Sequence, residues 1–369
     1  MFSASSAVSV VRYLCYLCLS PPFTLLAYNE RRVYIEASAP TRIDLAGGTL
    51  DIWPLYLFHD GAQTLNAAIS LRARCSIEPR KDRRIVIVSE DTGHRVEANH
   101  WSELRDTHEL RLLGRILHYF QAQGLELHTR CESPVGAGIA GSSALNIAVC
   151  GAVAKWCGVA LPPDAIMQIA MNVEAQAIDV PTGVQDYRPA LYGGISAVEL
   201  RVDGVRRVAL PVEPLQLQQR LVLAYTNASR NSGINNWDVT KRHIDGDATV
   251  HSSFARIRDI AGAMRTALEA GDWPEVGRQV ADEWDNRKRL APGVTTPEID
   301  AMLAAARGAG AHGGKVCGAG GGGCLFCMGD PDDIPAIRRA LASAGARVLD
   351  FQVERDGLKI ETRDAAAAR

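Results

Sequence analysis

The segment Pro134-Val-Gly-Ala-Gly-Ile-Ala-Gly-Ser-Ser-Ala144 puts three glycines, three alanines and two serines directly ahead of an apolar run. Small residues let the backbone approach a ligand closely, and Ser142 and Ser143 open the expected helix. A helix start carries unpaired N–H groups and a partial positive charge, which is the chemistry of an anion site. The plain alternative is a Gly-rich turn with a Ser cap. Two familiar phosphate motifs fail here. Gly136, Gly138 and Gly141 match the dinucleotide fingerprint by spacing, but the chain after Trp156 runs into proline turns and another helix, not into a parallel strand ending in an acid. Gly314-Lys315 has Val316 where a Walker loop needs Ser or Thr, and Ala309 where it needs Gly.

Carboxylates stand further along. Glu174 sits in an expected helix, and Asp186 sits in Thr182-Gly-Val-Gln-Asp-Tyr187 just after it. Phosphoryl transfer uses carboxylates to hold metal and to orient the acceptor hydroxyl. Glu174 alone would equally suit a solvated helix face. Asp186 lies in a turn between apolar segments, where a buried carboxylate needs partners.

A third segment, Ala39-Pro-Thr-Arg-Ile-Asp-Leu-Ala-Gly-Gly-Thr-Leu-Asp51, sets Arg42, Asp44 and Asp51 among apolar neighbours. Asp51 could accept bonds from ligand hydroxyls, and Arg42 could balance a phosphate or a carboxylate. A surface Arg42–Asp44 pair is the competing reading. The fourth segment, Gly313-Gly-Lys-Val-Cys-Gly-Ala-Gly-Gly-Gly-Gly-Cys324, holds four consecutive glycines before an apolar strand. Their backbone entropy is costly, so the loop is expected to approach a ligand or another backbone. A tight structural turn is the alternative.

The elements that position these segments follow from periodicity. Alternation from Arg31 through Val33, Ile35 and Ala37 reads as a strand. Ile69 to Glu78 is the clearest one, with Arg72 on its polar face. Ile85–Val88 and Leu125–Cys131 are further strands, and Lys81-Asp82-Arg83 suggests a hairpin between the first of these and its predecessor. Ala144–Trp156 reads as a buried helix, and a second, capped by Asp164, runs to Ile178. Strands follow at 195–200, 207–211 and 221–225, then helices at 247–270, 273–290 and 297–306. The end reads strand 325–328, helix 334–344, strand 347–353 and strand 358–362. This mixture implies α+β layers with largely antiparallel sheets.

The 369 residues are 47% hydrophobic and 22% charged, with a net charge of -2. That is globular composition, enough for two domains, with no field favouring nucleic acid or an anionic membrane. Nine scattered cysteines fit reduced buried thiols and a cytoplasmic chain. Cys15-x-x-Cys18 and Cys324-x-x-Cys327 lack the partners for a four-ligand metal site. Residues 1–30 are expected to form a poorly ordered extension. They have neither a clean signal peptide nor a spanning helix, and a membrane-surface anchor is the lesser alternative.

Together the segments resemble the GHMP kinase superfamily over about Arg31 to Glu361, with its three motifs in order. The resemblance implies a ribosomal protein S5 domain 2-like N-terminal domain at 31–205 and a ferredoxin-like C-terminal domain at 206–369. It implies ATP and magnesium. Pro134, Gly136, Ala137, Gly138, Gly141, Ser142, Ser143 and Ala144 would contact ATP, and Ser143 with Glu174 would hold the metal. Asp186 matches the catalytic aspartate and Arg42 its basic partner. Asp51, Gly48, Asp44, Gly318 and Gly320 would form the acceptor side. The galactokinase Glu-His pair is missing from Gly47-Gly-Thr-Leu-Asp51. The first motif looks more like the fucokinase and D-glycero-D-manno-heptose 7-phosphate kinase branch, whose members phosphorylate an anomeric hydroxyl. The implied partner is a small sugar or sugar phosphate, with no nucleic acid and no stable membrane insertion, in a monomer or homodimer. Arg188, Arg230, Lys241 and Arg242 are candidates for a second phosphate or plain surface charges. A mevalonate-type acceptor and a non-catalytic regulator of the same fold are the rival readings.

Overall fold

The computed structural model describes residues 33–229 and 232–364. The expectations for residues 1–30, for the start of the first strand at Arg31 and for Arg230 lie outside the described residues. The chain runs β1 (Val33–Ala46), β2 (Gln63–Pro79), β3 (Ile85–Ser89), β4 (Arg95–Ala98), α1 (Arg111–Phe120), β5 (Leu125–Cys131), α2 (Gly141–Trp156) and α3 (Pro163–Ile178). It continues through α4 (Tyr187–Tyr192), β6 (Ile195–Arg201), β7 (Gly204–Ala209), α5 (Pro214–Gln218), β8 (Leu221–Tyr225), α6 (Ser232–Ile244), α7 (Ala248–Ala270) and α8 (Trp273–Arg287). Last come α9 (Pro297–Gly308), β9 (Gly313–Val316), β10 (Cys324–Met328), α10 (Ile334–Ser343), β11 (Arg347–Leu349) and β12 (Lys359–Asp364).

The first sheet has the order β12-β1-β2-β5-β3-β4, with the β6–β7 hairpin paired to β2. β1 is longer than the alternation from Val33 to Ala37 suggested. It passes through Pro40, and the register with β2 shifts between Pro40 and Thr41 and again between Asp44 and Ala46. A proline and inward-facing charges are tolerated in a strand where the ladder is interrupted. Helix α2 is buried along most of its length, as a helix apolar on all sides must be. It packs with α1, α3 and α4 on the sheet. The second sheet, β11-β8-β10-β9, is antiparallel. Residues of α7 and α8 fill the core shared with the first sheet, while α9 and α10 cover the other face. The α+β architecture is the one expected.

Several local expectations need correction. Lys81–Arg83 does not close a hairpin. β5 lies between β2 and β3, antiparallel to the first and parallel to the second. Local turn chemistry cannot reveal a strand inserted from forty residues on. Asp164 does not cap α3. Pro162 holds the cap position, and the Asp164 carboxylate accepts from the Tyr192 hydroxyl at 2.7 Å. Arg72, expected on the solvent face of β2, is buried and donates to Ser38 and Gly357 carbonyls. The last strand pairs with β1, so Lys359–Asp364 lie in the first sheet. Residue 205 lies in the β6–β7 hairpin.

Candidate active site

The loop before α2 turns at Pro134, whose carbonyl accepts from Ala137 N–H, and ends at Ala140 in a left-handed conformation at φ 63°. That conformation is unfavourable for a residue with a Cβ, so tertiary contacts must hold it. No side chain caps α2. Its serines are engaged elsewhere, which leaves its first N–H groups to a ligand. Ser142 Oγ donates to Glu174 Oε1 at 2.8 Å, and Ser143 Oγ to Oε2 at 3.1 Å. Tyr187 OH adds a bond at 2.8 Å and Asn146 Nδ2 one at 3.4 Å. Glu174 is therefore no solvated face. Burial pushes its carboxyl up against the pull of the Tyr187 and Ser142 bonds.

Arg42 is the link between the loop and the second carboxylate. Its Nη1 donates to Gly138 O at 2.8 Å, while Nε and Nη2 reach Asp186 Oδ1 at 3.0 and 2.6 Å. The Arg42 side chain is 3% exposed and that of Asp186 29%. One guanidinium thus ties the phosphate-type loop to a carboxylate that still meets solvent. This overturns a surface Arg42–Asp44 pair. Asp186 stands at the start of α4 but does not cap it, so its side chain is committed to Arg42.

Asp44, expected on the acceptor side, is turned away into a buried charge cluster. Lys315 Nζ lies 3.4 Å from Asp44 and 3.1 Å from Glu283, and all three side chains are fully buried. These contacts are off hydrogen-bond geometry, so their attraction is Coulombic. Burial alone would raise the Asp44 carboxyl, but Lys315, Arg287 and Arg42 outweigh it and hold it below the usual value. Arg287 also donates to Gly48 O at 2.8 Å, to Thr49 Oγ1 at 3.1 Å and to Gly318 O at 3.5 Å. The first and last glycine motifs are therefore fastened to the same helix, α8. Sequence reasoning missed Lys315, Glu283 and Arg287. Glu283 and Arg287 are spaced like an ordinary i,i+4 surface pair, and nothing local marks Lys315 in the fourth segment as a buried ion-pair partner.

The four-glycine loop approaches backbone, as one of the two expectations held. A Cβ at Gly320 would meet Val294 O at 2.5 Å, and one at Gly323 would meet Ala137 O at 2.6 Å. Cys324 N–H bonds the same Ala137 carbonyl at 2.6 Å. The last motif thus backs the phosphate-type loop. Gly323→Ala should push Ala137 aside and weaken ATP binding about tenfold or more, the scale of small misplacements at a reacting site. Calorimetric titration with ATP checks this, with circular dichroism confirming the fold.

Asp51 is 1% exposed, and its Oδ2 accepts from Gln185 N–H at 2.9 Å. It fastens the 182–187 turn from behind. Burial, then the neighbouring Asp186 charge, pushes its carboxyl up to about 6. A carboxyl raised in the folded state binds protons there first, so its ionisation costs stability as pH rises through about 4 to 6. Asp51→Asn removes that cost, and the amide oxygen can still accept from Gln185. The variant should be more stable at pH 7.5 by about 1–3 kcal/mol, fading below about pH 5. Urea unfolding at both pH values decides; lower stability at pH 7.5 would mean the charge is already compensated.

An open helix start, a hydroxyl-bound carboxylate and an Arg–Asp pair beside them define the class of small-molecule phosphotransferases. Residues 109–194 match the GHMP kinases N terminal domain and residues 264–347 the GHMP kinases C terminal domain. A Campylobacter jejuni D-glycero-alpha-D-manno-heptose 7-phosphate kinase is 29% identical over 336 residues, covering 88% of this chain and 98% of that protein. A Bacteroides fragilis L-fucokinase/L-fucose-1-P guanylyltransferase is 26% identical over 90% of this chain and 39% of its own length. The crystal structure of a Bacteroides thetaiotaomicron D-glycero-D-manno-heptose 1-phosphate kinase superposes with a TM-score of 0.72 at 25% identity, covering 89% of this chain and 98% of that one. The chain carries both the N-terminal and the C-terminal GHMP kinase domains, and it is an ATP-dependent phosphotransferase with a hydroxyl acceptor.

Proposed function

We propose that the chain transfers the γ-phosphoryl group of ATP to a hydroxyl of a sugar or sugar phosphate, fucose-like or heptose-phosphate-like, with the anomeric hydroxyl as acceptor. The observation that carries this reading is the Arg42 bridge between Gly138 O and Asp186 Oδ1. It fixes a partly exposed carboxylate beside a phosphate-type loop, where it can orient an acceptor hydroxyl and take its proton. Residues 134–144 would cradle the phosphates through backbone N–H groups. Ser143 and Glu174 suit magnesium, because a buried carboxylate beside a hydroxyl offers hard oxygen donors. When bound, magnesium would neutralise phosphate charge.

The acceptor class is carried over from the names of the heptose-phosphate kinase and fucokinase relatives. The position of Asp51 under the 182–187 turn and the fastening of Gly48 to Arg287 support an acceptor wall of residues 48–51 and 182–187. Gly318 joins that wall through Arg287, and Gly320 stands against Val294. Of the cations considered for a second phosphate, Arg242 is bound to Asp247 and Leu290 O, and Arg188 is buried against Val184 O. Lys241 is exposed on α6. No helix among the described residues is long and apolar enough to cross a membrane. We place the protein in the cytoplasm as a monomer or homodimer.

A screen for ADP release with ATP and magnesium tests the proposal. It would include heptose 7-phosphate, unphosphorylated heptose, L-fucose, galactose and mevalonate. A sugar or sugar phosphate should turn over fastest. Mevalonate outrunning every sugar would overturn the acceptor class. Tight ATP and sugar binding with no ADP from any acceptor would favour the regulator.

A further inference from the structure

Outside the kinase site, three histidines converge that the phosphoryl-transfer reading does not use. His59 follows the short turn of helix at Leu55–Phe58, His243 lies in the last turn of α6, and His251 lies in the first turn of α7. The α6–α7 connection turns at Gly246, and Asp247 caps α7 by accepting from Thr249 and Val250 N–H. That tight turn stacks the His243 and His251 rings, their centroids 3.8 Å apart. His59 reaches them from the other side, with its Nε2 2.9 Å from His243 Nε2. His59 and His243 are buried, at 4% and 2% exposure, and His251 is partly exposed. One nitrogen from each ring lies within 4.8 Å of one from each of the others.

The hydrogen bonds within this cluster do not close. Three neutral imidazoles carry three N–H groups and three lone pairs. The His59–His243 contact uses one of each. His251 Nε2 sits 2.9 Å from the His243 carbonyl, so it is an N–H and its lone pair is on Nδ1. Among the described residues, only one of the three lone pairs meets a donor. Whichever tautomers are chosen, His243 Nδ1 stays buried with no partner. With Nε2 turned to a shared ion, that Nδ1 would carry the proton; it is the two unmet lone pairs, on rings whose nitrogens converge, that invite an occupant.

We propose that His59, His243 and His251 bind one divalent transition-metal ion of the zinc type, with water in the fourth position. Three imidazoles with an open position are a known zinc donor set, and no carboxylate is needed. Two nitrogens on one tetrahedral zinc stand about 3.3 Å apart, given Zn–N bonds of about 2.0–2.1 Å. The His59–His243 pair needs to open by only a few tenths of an ångström from its 2.9 Å. The His251 bond to the His243 carbonyl is the outer-sphere contact that fixes a ligating imidazole's tautomer. Phe254 is fully buried and lies with its ring centroid 5.7 Å from that of His243, while the solvent-exposed Phe58 ring stands at 5.3 Å. The ion would clamp residues 55–59 to the α6–α7 corner. This site is independent of the kinase reading.

The test is titration of the full chain, stripped with chelator, using zinc chloride and, for a visible spectrum, cobalt chloride. One equivalent should bind saturably, with a tetrahedral cobalt spectrum and a raised melting temperature. His243→Gln and His251→Gln should each weaken binding by at least about a hundredfold, the upper range for losing an outer-sphere partner. Far-UV circular dichroism should stay unchanged. His251 is partly exposed, so its variant keeps the test alive if the His243 variant misfolds. Absence of saturable binding to the wild-type chain would overturn the proposal. So would binding that survives both substitutions, which would place the ion away from the histidines, as at the proposed Ser143–Glu174 site.

Discussion

Asp186→Asn should lower kcat by on the order of a hundredfold or more while leaving ATP affinity within about twofold, the signature of a lost proton acceptor. The substitution is chosen to separate chemistry from structure. Arg42 donates twice to the same atom, Oδ1 of Asp186. An asparagine oxygen there can accept both bonds, so the Arg42 bridge to Gly138 O survives. What disappears is the negative charge and the capacity to take a proton. The proposed ATP contacts on 134–144 lie across the guanidinium and should be nearly untouched. Steady-state kinetics with the best acceptor, together with calorimetry for ATP, would read both numbers. Turnover within about threefold of wild type would remove Asp186 from the proton-transfer role, since general-base losses start near a hundredfold. A matching loss of ATP affinity would show instead that the charge matters mainly for holding Arg42.

The parts of this site that were legible in the sequence are those whose chemistry is local. A Gly- and Ser-rich loop running into an apolar helix states its own geometry, and so does an aspartate in a turn between buried segments. The carboxylate network was less visible. Glu174 reads as an ordinary helical residue until the fold brings Ser142, Ser143, Asn146 and Tyr187 around it. The four-glycine loop announced a close approach, but not that its partner would be Ala137 of the phosphate-type loop. Sheet order was hidden for the same reason. Strand periodicity gives the faces of β2 and β3, whereas the insertion of β5 between them depends on contacts made far along the chain. The histidine cluster has no local signature either, since its members are scattered over nearly two hundred residues.

The buried charges set the largest expected stability effect. Lys315→Met should destabilise the protein by about 3–5 kcal/mol at neutral pH, the cost of stranding a buried charge. Asp44, Glu283 and Lys315 are completely buried and Arg287 is 1% exposed. Two carboxylates are matched there by two cations. Without the ammonium, Arg287 stays bound to Glu283 at 2.6 Å, and Asp44 loses the first of the neighbours that hold its carboxyl low. The pH dependence follows from that direction. In the wild type, the depressed Asp44 value adds stability that is present above the ordinary aspartate range and lost as acid protonates it. In the variant, burial prevails, the Asp44 value rises, and ionisation itself becomes the penalty. The deficit should therefore be greatest near pH 7 and shrink as pH falls towards the aspartate range. Adding Asp44→Asn should recover much of the loss, because the stranded charge is then gone and the two sites are coupled. Urea unfolding of wild type, single and double variants at pH 7 and at about pH 5 measures all of this. A single variant within about 1 kcal/mol of wild type at pH 7 would mean that the cluster is hydrated or relaxes easily. The consequence also reaches the proposed acceptor wall. Arg287 fastens both Gly48 and Gly318, so any shift of its partner Glu283 loosens two loops at once, and the double variant should regain stability before it regains acceptor affinity.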